Sequence, residues 1–200
     1  MGSNEPGVRA QPALRLVETE LSSGPGDVRT FLIADVRGYT RYTQEHGDEA
    51  AAELAATFAD LARSVVSACG GDVIELRGDE ALCVFGSARQ VLRAAVELQR
   101  RFRTGVDGQP SLPLGIGIGL DAGEAVALEG GYRGSALNLA SRLCALAAPG
   151  QILATETVVS LARRVGGFVF PSGDPFVSRA STSPYGQAKS RIAIQHLPTG

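Results

Sequence analysis

The chain has 200 residues, of which 44% are hydrophobic and 20% charged, and its formal net charge is −2. That length and apolar content suit one buried core with tails, and the slightly acidic balance lacks the basic footprint of a nucleic-acid groove, so no nucleic acid partner is expected. No apolar stretch reaches the roughly 18 residues of a membrane span, and the amino terminus lacks the basic-then-apolar order of a signal peptide, so a soluble chain with no membrane partner is expected. Cys69, Cys83 and Cys144 are odd in number, far apart and set among apolar residues. They suit buried free thiols in a reducing cytoplasm better than disulfides or a metal site.

Residues 1–28 mix Gly, Pro, Ser and charge without sustained periodicity and read as a tail or linker. Residues 30–35 form a buried-strand run, and Gly38 turns the chain into a long helix over 39–68, with Leu54, Phe58, Leu61, Val65 and Val66 on one face. Gly70 and Gly71 end it. Residues 72–77 and 81–85 read as a hairpin through Gly78 and Asp79. A second helix spans about 88–103, with Val91, Leu92, Ala95, Val96, Leu98 and Phe102 inward. Residues 112–120 alternate glycine with Leu and Ile, and 124–128 reads as their pairing partner. A glycine-rich loop over 130–134 opens a third helix, about 135–148, stopped by Pro149 and Gly150; a strand over 151–154 and a helix over 157–164 follow. The order is that of an α+β fold, a ferredoxin-like βαββαβ sandwich with extra hairpin elements.

Asp35 and Asp79 each close an apolar run and enter a glycine turn. Alone, each is ordinary as a helix cap or turn residue. Together at a sheet edge they repel one another, and a pair of divalent cations removes that cost. Hard oxygen ligands with no His or Cys nearby favour Mg2+ or Mn2+. The Gly38 turn aims the free backbone N–H groups of Gly38, Tyr39 and Thr40 toward the same place, a ready phosphate cradle. Two metals beside a triphosphate activate an attacking hydroxyl and neutralise a leaving group, which is phosphoryl or nucleotidyl transfer. Asn138 and Arg142 share a helix face through their i, i+4 spacing. In isolation such a pair reads as a cap-like Asn and a solvated Arg.

Four stretches in order resemble one family. They are 31–40, Gly70-Gly71-Asp72-Val73-Ile74, Arg77-Gly78-Asp79-Glu80, and Gly134-Ser135-Ala136-Leu137-Asn138-Leu139-Ala140-Ser141-Arg142-Leu143 running on to Pro149-Gly150. On these motifs the chain resembles the catalytic domain of class III nucleotidyl cyclases, the adenylate and guanylate cyclase family, over roughly 29–162. The resemblance implies a catalytic domain over 29–164 in which Asp35 and Asp79 bind two Mg2+ or Mn2+ ions, helped by the backbone carbonyl of Val36. It implies that Asn138 orients the ribose and that Arg142 stabilises charge on the α-phosphate as the 3′-hydroxyl attacks and pyrophosphate leaves. It also implies a head-to-tail homodimer, with the aspartates of one subunit facing the Asn and Arg of the other.

The base-selecting positions depart from the family pattern. Where adenylate cyclases usually carry lysine and guanylate cyclases glutamate stands Glu75, which accepts hydrogen bonds and so suits the N1–H and amine of guanine. Glu75 also reads as a solvated residue or a partner for Arg77. Where the family carries Asp, Thr or Cys stands Gly131, without a side chain. Taken alone Glu75 speaks for GTP, but divergent bacterial members of the family often read adenine with other residues, so by weight of family numbers ATP is the first expected substrate and GTP the second. Residues 165–200, a divergent C-terminal hairpin or tail rich in Gly, Pro and Ser, replace the family's lysine-bearing hairpin. Of the 19 basic residues a single one, Lys189, is a lysine, and it is the one candidate for reaching the triphosphate. A degenerate nucleotide-binding or dimerisation module on the same fold is the alternative to an active cyclase. A diguanylate cyclase is disfavoured, because that family's Gly-Gly-Asp/Glu-Glu-Phe hairpin signature is absent.

Overall fold

A computed structural model describes residues 27–104, 113–129, 131–164, 177–180 and 191–194. Strand β1 (Asp27–Arg37) leads through Gly38 into helix α1 (Tyr39–Ala68), which is followed by the hairpin β2 (Gly71–Arg77) and β3 (Glu80–Phe85) and by helix α2 (Ala88–Thr104). Then come β4 (Gly115–Leu128), β5 (Gly131–Arg133), α3 (Ser135–Leu146), β6 (Ile152–Thr155), α4 (Glu156–Arg164), β7 (Val177–Ala180) and β8 (Arg191–Ile194). The sheet order is β2-β3-β1-β4-β6-β8-β7, with β5 paired to the end of β4. The first four strands take the βαββαβ arrangement expected, all antiparallel neighbours, while β6 joins β4 in parallel.

Alternation along β1 assigns the two faces of the sheet. Leu32, Ala34 and Val36 join Leu54, Phe58, Val65, Leu92 and Leu98 in the main core beneath α1 and α2. Phe31 and Ile33 pack on the opposite face with Ala136, Ala140 and Cys144 of α3. All of the inward positions expected on α1 and α2 are buried except Val96, which is half-buried.

β4 explains how α3 lies so close to the sheet. Its Ile116, Ile118 and Leu120 enter the main core, while the alternating Gly115, Gly117 and Gly119 present no side chain to the α3 side. A Cβ on Gly119 would collide with the backbone of α3 at Ala140 and Cys144. Here glycine is required by close approach of two backbones rather than by a turn.

Several boundaries differ from the sequence reading. Residues 124–128 are not a separate strand pairing with 112–120: they continue β4, because β1 pairs with it along its length from Asp27↔Ala125 to Arg37↔Gly115. The partner of that far end is β5, which falls inside the expected glycine-rich loop. α1 is broken at Gly47, whose φ of 88° and ψ of 168° only glycine adopts readily. α3 ends at Leu146 rather than near 148, because Ala147 is already extended and Pro149 disfavours helix at the residue before it. Leu112, Gly130 and Lys189 lie outside the described residues, as does most of the expected tail over 165–200, of which only the antiparallel pair β7 and β8 is described.

Gly119→Ala is expected to destabilise the fold by about 2–3 kcal/mol, the cost of overpacking against backbone that cannot retreat. Gly86→Ala, at a site with nothing within 4 Å, is the control expected to be nearly neutral. Urea unfolding of both variants checks the difference.

Candidate functional site

Asp35 lies two residues before the end of β1, on the α3 face, and its cross-strand partner is Glu80. Asp79 sits in the turn between β2 and β3, beside Gly78 with φ of 59°. The backbone amide of Val36 donates to the carbonyl of Asp79 at 3.0 Å, which locks this turn against the end of β1. The two aspartates expected to act together are therefore brought together by main-chain pairing, while the Val36 side chain is buried in the main core on the opposite face. Glu80, not singled out in the sequence, adds a third carboxylate.

The electrostatics of this cluster are unfavourable as it stands. Burial raises the Asp35 carboxyl above its ordinary value of 3.8; Arg37 opposes this, and the charges of Asp79 and Glu80 push it further up. Arg37 Nη1 donates to Asp35 Oδ2, and its Nη2 donates to the carbonyl of Cys144 in the last turn of α3. That guanidinium fills the space a side chain on Gly117 would need. Arg37 also went unnoticed in the sequence, although its i, i+2 relation to Asp35 on one strand is a readable signal.

The candidate metal ligands are thus Asp35, Asp79 and the Val36 carbonyl, all hard oxygens. A divalent cation would favour the ionised carboxylate against the burial and, to a lesser degree, the neighbouring charges that raise Asp35, so the residues fit Mg2+ or Mn2+. Among the described residues no group of three or more His, Cys, Asp or Glu side chains is arranged to hold a metal ion. A site with two carboxylates suits Mg2+, which keeps waters and takes its remaining ligands from substrate phosphates.

Asp35 does not cap α1: the N-cap is Gly38, at φ of 83°, and no side chain caps the helix. The first turn of α1 carries no acidic residue, so the amides at its start, including those of Tyr39 and Thr40, are open to an anion.

Asn138 and Arg142 lie exposed on α3, whereas Ala136, Ala140, Leu143 and Cys144 are its buried face. At roughly 100° per residue the two sets fall on opposite sides of the helix. Their side chains point away from the sheet that carries Asp35, so one chain does not assemble both halves of the expected site.

The two positions expected to select the base, Glu75 and Gly131, both adjoin Ile74. The ladder between β2 and β3 slips between Val73 and Glu75, leaving Ile74 as a bulge. Val73 pairs with Cys83 of the main core, but Glu75 pairs with Leu82, which packs on the α3 face. The extra residue turns Glu75 to the α3 side. Gly131, with φ of +148°, stands beside Ile74, whose Cγ2 would be 3.7 Å from a Cβ there. Glu75 accepts from Arg77 Nε at 2.6 Å, the pairing weighed in the sequence. Cys83 and Cys144 are buried and Cys69 half-buried, all three free.

No family model matches the chain. A protein of Mycobacterium tuberculosis without assigned function is 38% identical over 123 residues, which is 60% of this chain and 31% of that protein. An adenylate cyclase of Streptomyces coelicolor is 31% identical over 123 residues, again 60% of this chain and 30% of the relative. The matches therefore span about a third of the length of these relatives. Among solved structures, the guanylyl cyclase Cya2 superposes with a TM-score of 0.62 at 25% identity, covering 86% of this chain and 92% of that one. The chain has the fold of the class III nucleotidyl cyclase catalytic domain, and the resemblance seen in its motifs holds. Its relatives include both an adenylate and a guanylyl cyclase, so family likeness alone leaves the base open.

Because the Asp35 value is raised in the folded protein, its ionisation opposes folding, a penalty absent well below pH 3.8 and fully present above the raised value. Asp35→Asn is therefore expected to melt at or above the wild-type temperature at pH 7, with the difference vanishing as pH falls toward 3.8, and to lose Mn2+ binding. Thermal melts across pH and a Mn2+ titration followed by electron paramagnetic resonance check both halves.

Proposed function

We propose that this chain is a nucleotidyl cyclase domain that converts a nucleoside triphosphate, ATP first and GTP second, to the 3′,5′-cyclic nucleotide and pyrophosphate in intracellular signalling. The observation that carries this reading is the outward presentation of Asn138 and Arg142 on α3 combined with a mutually repelling carboxylate pair at the end of β1. Each half lacks what the other supplies.

Two Mg2+ or Mn2+ ions at Asp35, Asp79 and the Val36 carbonyl would lower the pKa of the attacking 3′-hydroxyl and neutralise the leaving pyrophosphate. The open amides of Gly38, Tyr39 and Thr40 receive phosphate oxygens at the helix start. Asn138 of the second copy fixes the ribose, and Arg142 of that copy donates its fork to charge developing on the α-phosphate. Glu75 faces the base, Gly131 leaves that side open, and Lys189 is the candidate for the triphosphate. Catalysis in this reading needs a head-to-tail homodimer with two equivalent sites. No helix among the described residues is long and apolar enough to cross a membrane. The free cysteines suit a cytoplasmic setting.

A second reading is a regulatory or dimerisation module with little activity. Gly131 favours it, since its backbone suits glycine and so leaves out the family's second base-reading side chain.

Product analysis of the purified chain with ATP, GTP, CTP and UTP, in Mg2+ and in Mn2+, tests the proposal. Cyclic product from ATP or GTP is expected; silence from a verified folded dimer would turn the reading to the module. Arg142→Ala is expected to lower turnover by ~100-fold with little change in apparent substrate affinity. Mixing Asp79→Ala with Arg142→Ala in equal amounts is expected to restore roughly a quarter of wild-type activity, because half of the dimers then hold one intact site of two. No recovery from exchanging dimers would exclude a shared site.

A further inference from the structure

We infer that Arg77 determines base specificity together with Glu75, as the donor half of a donor–acceptor pair that reads the purine edge. The inference rests on the proposed placement of the base against Glu75. Strand alternation puts Glu75 and Arg77 on one face, the Ile74 bulge turns that face to the α3 side, and Arg77 Nε donates to Glu75 Oε1 at 2.6 Å. Both side chains are open to an incoming ligand, at 43% and 69% relative exposure. The cross-strand partner of Arg77 is Glu80, whose charge acts on the guanidinium more weakly than that of Glu75. Nε is engaged, while its Nη groups carry no hydrogen bond among the described residues.

The second selecting position offers no competing reader. At φ of +148° a side chain on residue 131 would be strained, and the one atom near the position it would take is Ile74 Cγ2. Recognition therefore falls to the β2 pair alone.

A lone carboxylate only accepts, so it repels the N1 lone pair of adenine. An adjacent guanidinium changes that balance: an Arg77 Nη donates to adenine N1 while Glu75 accepts from the 6-amine. Against guanine, the same Nη donates to O6 while Glu75 accepts from N1–H and the 2-amine. Arg77 thus admits adenine to a pocket that Glu75 by itself would reserve for guanine, and it serves guanine less decisively because the carboxylate already holds two of that base's donors.

The test is binding rather than turnover. The 3′-deoxy analogues of ATP and GTP, which cannot cyclise, compete against a fluorescent nucleotide in Mn2+ for wild type, Arg77→Ala, Arg77→Gln and Glu75→Ala. Arg77→Ala is expected to shift the affinity ratio toward the guanine analogue by roughly tenfold, and Glu75→Ala to shift it toward the adenine analogue by a similar factor. Arg77→Gln, which keeps a neutral donor, is expected to fall between wild type and Arg77→Ala. Equal weakening of both analogues by Arg77→Ala would overturn the specificity role, since a purely structural or phosphate-directed charge treats the bases alike. Wild-type binding of neither analogue would overturn the cyclase reading and this inference together, whereas binding with an unchanged ratio overturns this inference alone.

Discussion

The close approach of α3 to β4 is the constraint on which the site depends. Gly115, Gly117 and Gly119 clear one face of the strand, and the α3 backbone at Ala140 and Cys144 rests where a side chain on Gly119 would stand. The opposite face of the same strand carries Ile116, Ile118 and Leu120 into the main core, so one alternating segment satisfies two incompatible demands. Once α3 is seated this way, its Ala136, Ala140 and Cys144 are buried, and Asn138 and Arg142 are forced outward by helix geometry. The gap at Gly117 also admits the Arg37 guanidinium, which ties the last turn of α3 to Asp35.

The fold tolerates poor electrostatics at the end of β1. Asp35, Asp79 and Glu80 are gathered there by strand register and by the amide of Val36, not by mutual attraction. Arg37 compensates part of the repulsion, being held by the helix as well as by the carboxylate. Burial together with neighbouring like charges makes this cluster a candidate binding site on physical grounds.

Much of this was legible in the sequence because it is written in local periodicity. The apolar faces of α1 and α2, the hairpin through Gly78 and the helix carrying Asn138 and Arg142 all follow from spacing within a few residues. What stayed hidden depends on register between distant segments. β4 runs on through 121–124 because β1 pairs with it there, and nothing in its own residues announces that pairing. The contacts of Arg37 with Cys144 span 107 positions. The Ile74 bulge is similar: Val73, Ile74 and Glu75 read as plain strand, and only pairing with β3 shows that one residue is surplus. Gly47 was visible as a glycine, but its effect as a break in α1 was not, since an isolated glycine is often tolerated within a helix.

That surplus residue gives β2 the character of a reading frame. Upstream of Ile74 the strand's odd positions face α1 and α2; downstream they face α3. Which side chains each face of the strand presents is therefore fixed by a count as much as by identity. A lineage of such domains can exchange its whole set of presented residues by gaining or losing one position in this strand, leaving every codon at the site unchanged.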